Sequence, residues 1–466
     1  MKNKILTGLL LVLIGGWGSL SAQSAGSNYA RQVNTLIGTK GVGLTSGYLY
    51  PGATYPYGMV QFTPSYFSKR SGFVINQLSG GGCEHMGNFP TFPVKGKLKM
   101  SPDNILNYRI NISEEKGHAG YYEAKVQEDI HAKLTVTERT GMASYEYPAD
   151  QQYGTVIIGG GISATPIEQA AIVITAPNKC EGYAEGGNFC GLRTPYKVYF
   201  VAEFDTDALE SGTWKRDELK PNTTFAEGEY SGVYFTFDVN KKKNIQYKIG
   251  VSYVSVENAR ENLKAENTGW DFLQIQNQAE SKWNHYLGKI EVEGTNPDRT
   301  TQFYTHLYRS FIHPNVCSDV NGEYMGADFR VHKSRSKHYT SFSNWDTYRT
   351  QIQLLSILDP EVASDIVISH QLFAEEAGGA FPRWVMANIE TGVMQGDPTP
   401  ILISNAYAFG ARNYDPKPIF KTMRKGAEEP GAMSQEVEAR PGLKQYLDKG
   451  YYNASIPVSY THLRAH

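Results

Sequence analysis

The 466-residue sequence is poor in cysteine, nearly balanced in charge and, beyond its first residues, free of long apolar runs. Four cysteines, Cys83, Cys180, Cys190 and Cys317, are too few for a disulfide-built scaffold, although Cys180 and Cys190 bracket a Gly-rich stretch and could pair. With 45 Lys+Arg against 47 Asp+Glu, the formal charge of -2 supplies no positive field for nucleic acid or an anionic membrane surface. After the N-terminus no segment reaches the ~18 consecutive apolar residues of a membrane-spanning helix. What the chain does have is length enough for two or three domains and 12 % aromatic residues, enough to fill cores and to offer flat apolar faces.

The N-terminus reads as a secretory signal peptide over residues 1–22. Lys2 and Lys4 precede the apolar stretch Ile5 to Gly15, and small residues around Ala22 fit a cleavage site. The expected location is therefore beyond the inner membrane, periplasmic or extracellular. From about 23 to 257, short alternating or β-branched runs such as Ala132-Lys-Leu-Thr-Val-Thr and Tyr196-Lys-Val-Tyr-Phe-Val-Ala-Glu-Phe recur between Gly, Asn, Asp and Pro. This spacing predicts an antiparallel β-sandwich. Phe272, Ile275, Ala279, Trp283 and Leu287 then fall at helical intervals, predicting a helical linker over 258–294. From 295 to 457 helices dominate, one opening at Asp359-Pro360, and long Gly- and Trp-rich loops between them suggest an α/α toroid. About 170 residues cannot supply the dozen or so helices of a toroid at ordinary helix lengths. The helical domain is thus read as incomplete.

Gly159-Gly-Gly161 lacks the spacing of a dinucleotide loop and reads as a sandwich turn. Ser79-Gly-Gly-Gly-Cys-Glu-His-Met-Gly-Asn88 allows backbone close to a ligand, with Glu84 and His85 within it, but a lone Cys-Glu-His run is not a zinc pattern. The strongest chemistry lies in Ser343-Asn-Trp-Asp-Thr-Tyr-Arg349, Gly378-Gly-Ala-Phe-Pro-Arg-Trp384 and Gln395-Gly-Asp-Pro398. Carboxylates and Arg can fork onto vicinal hydroxyls and Trp can cover a sugar's C–H face. Taken singly, Asp346 could be a helix cap, Arg383 a structural ion pair and Trp345 core filler. Together they point to one polyol pocket.

With Val33-Asn-Thr-Leu-Ile-Gly-Thr39, Gly52-Ala-Thr-Tyr-Pro-Tyr-Gly-Met-Val-Gln-Phe62, Asn188-Phe-Cys-Gly191, Phe303-Tyr-Thr-His-Leu-Tyr-Arg-Ser-Phe311 and Asn315-Val-Cys-Ser-Asp-Val320, these motifs make the chain resemble glycoside hydrolase family 92, the calcium-dependent exo-α-mannosidases. The resemblance runs from about Tyr29 to Pro457. It implies a β-sandwich packed on an (α/α)6 barrel, the sugar site between them, and inverting hydrolysis of mannose-containing glycans, N-glycans or mannans, with Ca2+. By position, Asp346 and Arg383 match the terminal-mannose pocket, Phe189 and Cys190 a sandwich loop entering it, and Trp345, Trp384 and Asp397 motifs of the same pocket. Glu84 and His85 fall in a loop expected to face the leaving group. A pocket Cys190 implies a free, small wall residue and argues against a Cys180–Cys190 bond.

In the family, the stretch resembling Lys449 to Ser459 leads into a segment carrying the catalytic acid, with the base aspartates further on. Here residues 458–466 fit no family motif and read as a non-native tail. The resemblance therefore implies that acid, base and most calcium ligands lie outside residues 1–466 and that this fragment is inactive. A non-catalytic secreted carbohydrate-binding protein is the alternative, and a structural surface protein leaves Trp345, Asp346 and Arg383 unexplained.

Overall fold

The computed structural model describes residues 28–39, 47–65, 72–102 and 111–452; the signal peptide and the tail read from the sequence lie outside them. Two antiparallel sheets dominate the N-terminal half, of eight and nine strands among the described residues. The larger sheet runs, in spatial order, Phe225–Glu227, Ile167–Ala176, Lys179–Phe189, Leu192–Phe204, Asn244–Ser252, Thr140–Glu146, Ile130–Val136, Tyr121–Val126 and Ile112–His118. Its long central hairpin shows why these residues make strands. Leu192–Phe204 alternates, with Thr194, Tyr196, Val198, Phe200, Ala202 and Phe204 inward, while its partner turns the small Cys180, Gly182 and Ala184 inward. The register sets small against large, Gly182 opposite Phe200 and Ala184 opposite Val198. Across the layers, Phe204 meets Phe235 and Phe237 of the other sheet at ring separations of 4.9 and 5.1 Å.

After Ser252 the period changes from two to 3.6. Ser255 caps the helix Val256–Glu266 through Asn258 N, and Asp271 caps Phe272–Leu287 through Gln274 N. Pro at the first turn opens both Pro297–Ser310 and Pro360–Glu376, capped by Asn296 and Asp359. The one-turn helix Asn344–Thr347 and the helices Gln351–Leu358, Thr399–Phe409, Pro416–Glu428 and Leu443–Lys449 complete the described helical region. Its core, with Tyr50, Trp283, Tyr308, Phe311, Val367 and Leu402, is separate from that of the sheets. Trp283 joins the two halves, packing at a tilt against Tyr308 with ring centroids 4.5 Å apart and donating its indole N–H to Thr54 O at 2.7 Å. No helix among the described residues is long and apolar enough to cross a membrane.

Candidate functional site

A cavity of about 670 Å³ opens where loops of the sheets meet loops of the helices. One wall is the two-residue turn after Lys179–Phe189: Cys190 and Gly191 adopt φ of 51° and 86°, as a tight hairpin with the strand twist requires, and Asn188 Oδ1 accepts the Gly191 N–H at 2.9 Å. The turn aims Phe189 across the cavity onto Trp384, with ring centroids 4.5 Å apart. The helical side contributes the short helix Asn344–Thr347, whose Asp346 accepts a hydrogen bond from Ser343 Oγ, and Ser343 pairs by a backbone bridge with Trp384. Asn344 fixes this pair of loops together, donating to Thr399 Oγ1 at 2.7 Å and Pro382 O at 3.2 Å.

The third wall is backbone, Leu78 to Cys83. Two imidazoles hold it, His85 buried and His313 half-buried. His85 Nε2 accepts the Leu78 N–H at 2.9 Å and its Nδ1–H donates to Cys83 O at 2.7 Å. His313 Nε2 accepts the Ser79 N–H at 2.8 Å and its Nδ1–H donates to Asn315 Oδ1 at 2.7 Å. Burial pushes both imidazoles down to about 4, so each stays neutral and keeps the lone pair that accepts.

A disulfide joins Cys83 to Cys190, which corrects the expectation of a free Cys190. Cys180 remains unbonded and buried, so the Cys180–Cys190 pairing is absent as expected. The bond links partners 107 residues apart, which one strand-turn-strand reading could not bring together.

Of the residues singled out from the sequence, Phe189, Cys190, Asp346 and Trp384 share the cavity wall. Trp345 is half-buried beside them, with the Arg349 guanidinium 4.8 Å from its ring. Arg383 is buried behind the wall, donating from Nε to Gly396 O at 2.6 Å and from a terminal nitrogen to Met394 O at 2.9 Å. It organises the loop carrying Trp384, helped by the buried Glu390 carboxylate, which accepts the N–H groups of Arg383, Trp384 and Gly392. Asp397 is buried and paired with Arg440 at 3.0 Å; burial pushes its carboxyl up. Glu84 is exposed, and His85 faces inward to staple its own loop. Sequence reasoning missed His313 and the wall residue Gln351, which donates to Ser310 O and His313 O, and it reached Ser343 and Asn344 only as members of the stretch Ser343 to Arg349, with no role assigned to either.

The volume is larger than a single hexose, and the lining supplies aromatic faces and a carboxylate. Among the described lining residues Asp346 is the one carboxylate, whereas inverting hydrolysis takes two and calcium takes six to eight oxygens. The described lining residues therefore assemble neither an acid–base pair nor an oxygen-rich calcium shell.

The profile described as the glycosyl hydrolase family 92 N-terminal domain matches residues 32–252, and that of the family's catalytic domain matches residues 258–463. An uncharacterized secreted glycosidase of Arthroderma benhamiae is 25% identical over 468 residues, covering 91% of this chain and 55% of its own length. A family GH92 α-mannosidase of Bacteroides thetaiotaomicron superposes with a TM-score of 0.80 at 23% identity, covering 90% of this chain and 58% of that one. A family GH92 inverting mannosidase from the same species superposes at 0.77 and 23% identity, covering 92% and 59%. The chain thus spans a little over half the length of these relatives. Matched along both halves by profiles of one family, the chain belongs to glycosyl hydrolase family 92.

Proposed function

We propose that the cavity is the terminal-sugar site of a secreted α-mannosidase acting on mannose-containing glycans such as N-glycans or mannans. The carrying observation is convergence: Phe189 and Cys190 from the sheets, and Asp346 and Trp384 from the helical half, reach one cavity from three separated stretches of chain. In this reading Trp384 and Phe189 cover the apolar face of the ring, Asp346 binds hydroxyls, and Arg383 positions Trp384 from behind. The names of the superposed mannosidases support the sugar, and the family supports the helices being part of an (α/α)6 barrel. Export fits the disulfide and the fungal relative's description. Inversion and calcium dependence are proposed for the whole protein, with no step assigned to the ion.

One carboxylate on the wall also favours a narrower statement, that the described residues bind sugar without cleaving it. Titration of this chain with methyl α-mannoside, followed by calorimetry, should give saturable binding that Asp346→Asn weakens about tenfold, the scale of one lost charge-assisted hydrogen bond. Asp346 is exposed, so folding should be spared. Absence of binding, or equal binding by the variant, would refute the site; calcium-dependent turnover of an aryl α-mannoside would refute the narrower statement.

A further inference from the structure

Outside the cavity wall, the hairpin of Glu323–Met325 and Val331–Lys333 lies against the C-terminal end of the helix Pro360–Glu376. There Asp328, His332 and Glu376 each offer one donor atom, and the three atoms lie within 4.8 Å of one another. Asp328 Oδ1 and His332 Nε2 are 2.9 Å apart. Gly326 forms the floor between them: a Cβ built on it would stand 2.6 Å from His332 Cδ2 and 2.8 Å from both Asp328 Oδ1 and Glu376 Oε2. The three side chains thus surround a space that any side chain at position 326 would invade.

The donors are also held. Glu376 accepts from Tyr324 OH at 2.6 Å and from Ala327 N at 3.0 Å, Asp328 accepts from Arg330 N at 3.1 Å, and the Tyr324 ring stacks on His332 at 5.7 Å. Outer hydrogen bonds of this kind orient metal ligands. Charge points the same way, since two carboxylates face one imidazole.

We propose that Asp328, His332 and Glu376 form a binding site for a divalent transition cation. One imidazole with two carboxylates suits zinc-like ions, whereas calcium takes an all-oxygen shell. Donors sharing an ion at ~2.0–2.2 Å stand roughly 3–4 Å apart, so a small inward rotation of the side chains closes the site. The bound ion would tie the hairpin to the helix end that leads into Gly378-Gly-Ala-Phe-Pro-Arg-Trp384, and so stiffen the support of the cavity.

The test is calorimetric titration of the tag-free chain with Zn2+, beside its melting temperature. Wild type should bind Zn2+ saturably at this site and melt higher with it. His332→Ala removes a half-buried ligand, and Gly326→Ala keeps every ligand while filling the space between them; each should weaken this site about tenfold or more. Unchanged Zn2+ affinity in either variant, or no saturable binding by wild type at millimolar Zn2+, would overturn the site. Displacement of Zn2+ by equimolar Ca2+ would overturn its assignment to a transition ion. Zn2+ binding is read without any sugar, so this result stands apart from the proposed mannosidase function.

Discussion

The sheets and the helices solve the same burial problem with different success. Each sheet faces the other, and Phe204, Phe235, Phe237 and Tyr247 close on one another in a continuous core. The helical region shares its inner face with Trp283 and Tyr308, yet Ile357, Phe409 and Phe420 stand 59%, 46% and 62% exposed on its outer side. A pair of sheets is self-covering, whereas helices arranged side by side need further helices to cover the second face. The sandwich should therefore behave as the stable unit and the helices as the dependent one.

The largest expected effect comes from cutting the joint between them. Trp283→Ala should cost about 3–5 kcal/mol by cavity formation, and more by orphaning Thr54 O, and should separate denaturant unfolding into two transitions. A single transition of unchanged midpoint would show that the halves do not depend on this residue.

Reducing the Cys83–Cys190 bond should come next. A bond closing so long a loop contributes roughly 2–5 kcal/mol, so reduction should lower the later transition, that of the sheets, and leave the helical one in place; circular dichroism with and without dithiothreitol reads this. Sugar binding should weaken in parallel, because both loops line the cavity.

Acid should act on the opposite half. Burial pushes His313, His338 and His370 of the helical region down to about 4, 3 and 4, while in the sheet domain it pushes His85 down to about 4 and lowers His118. A folded-state value below the unfolded ~6.5 means that the unfolded chain takes up protons first, so stability is complete above pH ~6.5 and falls as pH drops towards 4, by on the order of 1 kcal/mol per pH unit and imidazole. Denaturant midpoints between pH 7 and 4.5 should fall faster for the helices than for the sheets. Equal slopes would remove the electrostatic part of the contrast. At the small end, Arg424→Gln breaks an exposed pair with Glu428 and should move neither transition measurably.

Legibility in the sequence follows the same divide between local and distant causes. Period-two runs found strands such as Ile130–Val136 and Leu192–Phe204, and the 3.6 period placed Phe272–Leu287, because burial of one face imprints itself on neighbouring residues. The two-residue strands Ala53–Thr54 and Phe73–Val74 left no such imprint. Of the site, Phe189, Asp346 and Trp384 could be named through motifs of a known family. The Cys83–Cys190 bond and the use of His85 and His313 as acceptors could not, since each depends on which distant backbone comes to lie opposite. Arg383 was found but its partners were not: carbonyl oxygens carry no residue signature.

The glycine wall has a consequence for diversification. Where a cavity is bounded by glycine peptide groups, every substitution adds a side chain, and the room for one differs sharply from one position to the next. At Gly81 an added methyl would press on the His85 ring, at 2.8 Å from Cε1, whereas at Gly82 it would meet only the Tyr48 ring at ordinary contact distance. Variation in what this cavity admits is thus channelled away from the stapled end of the loop, towards Gly82 and the exposed Glu84 beside it.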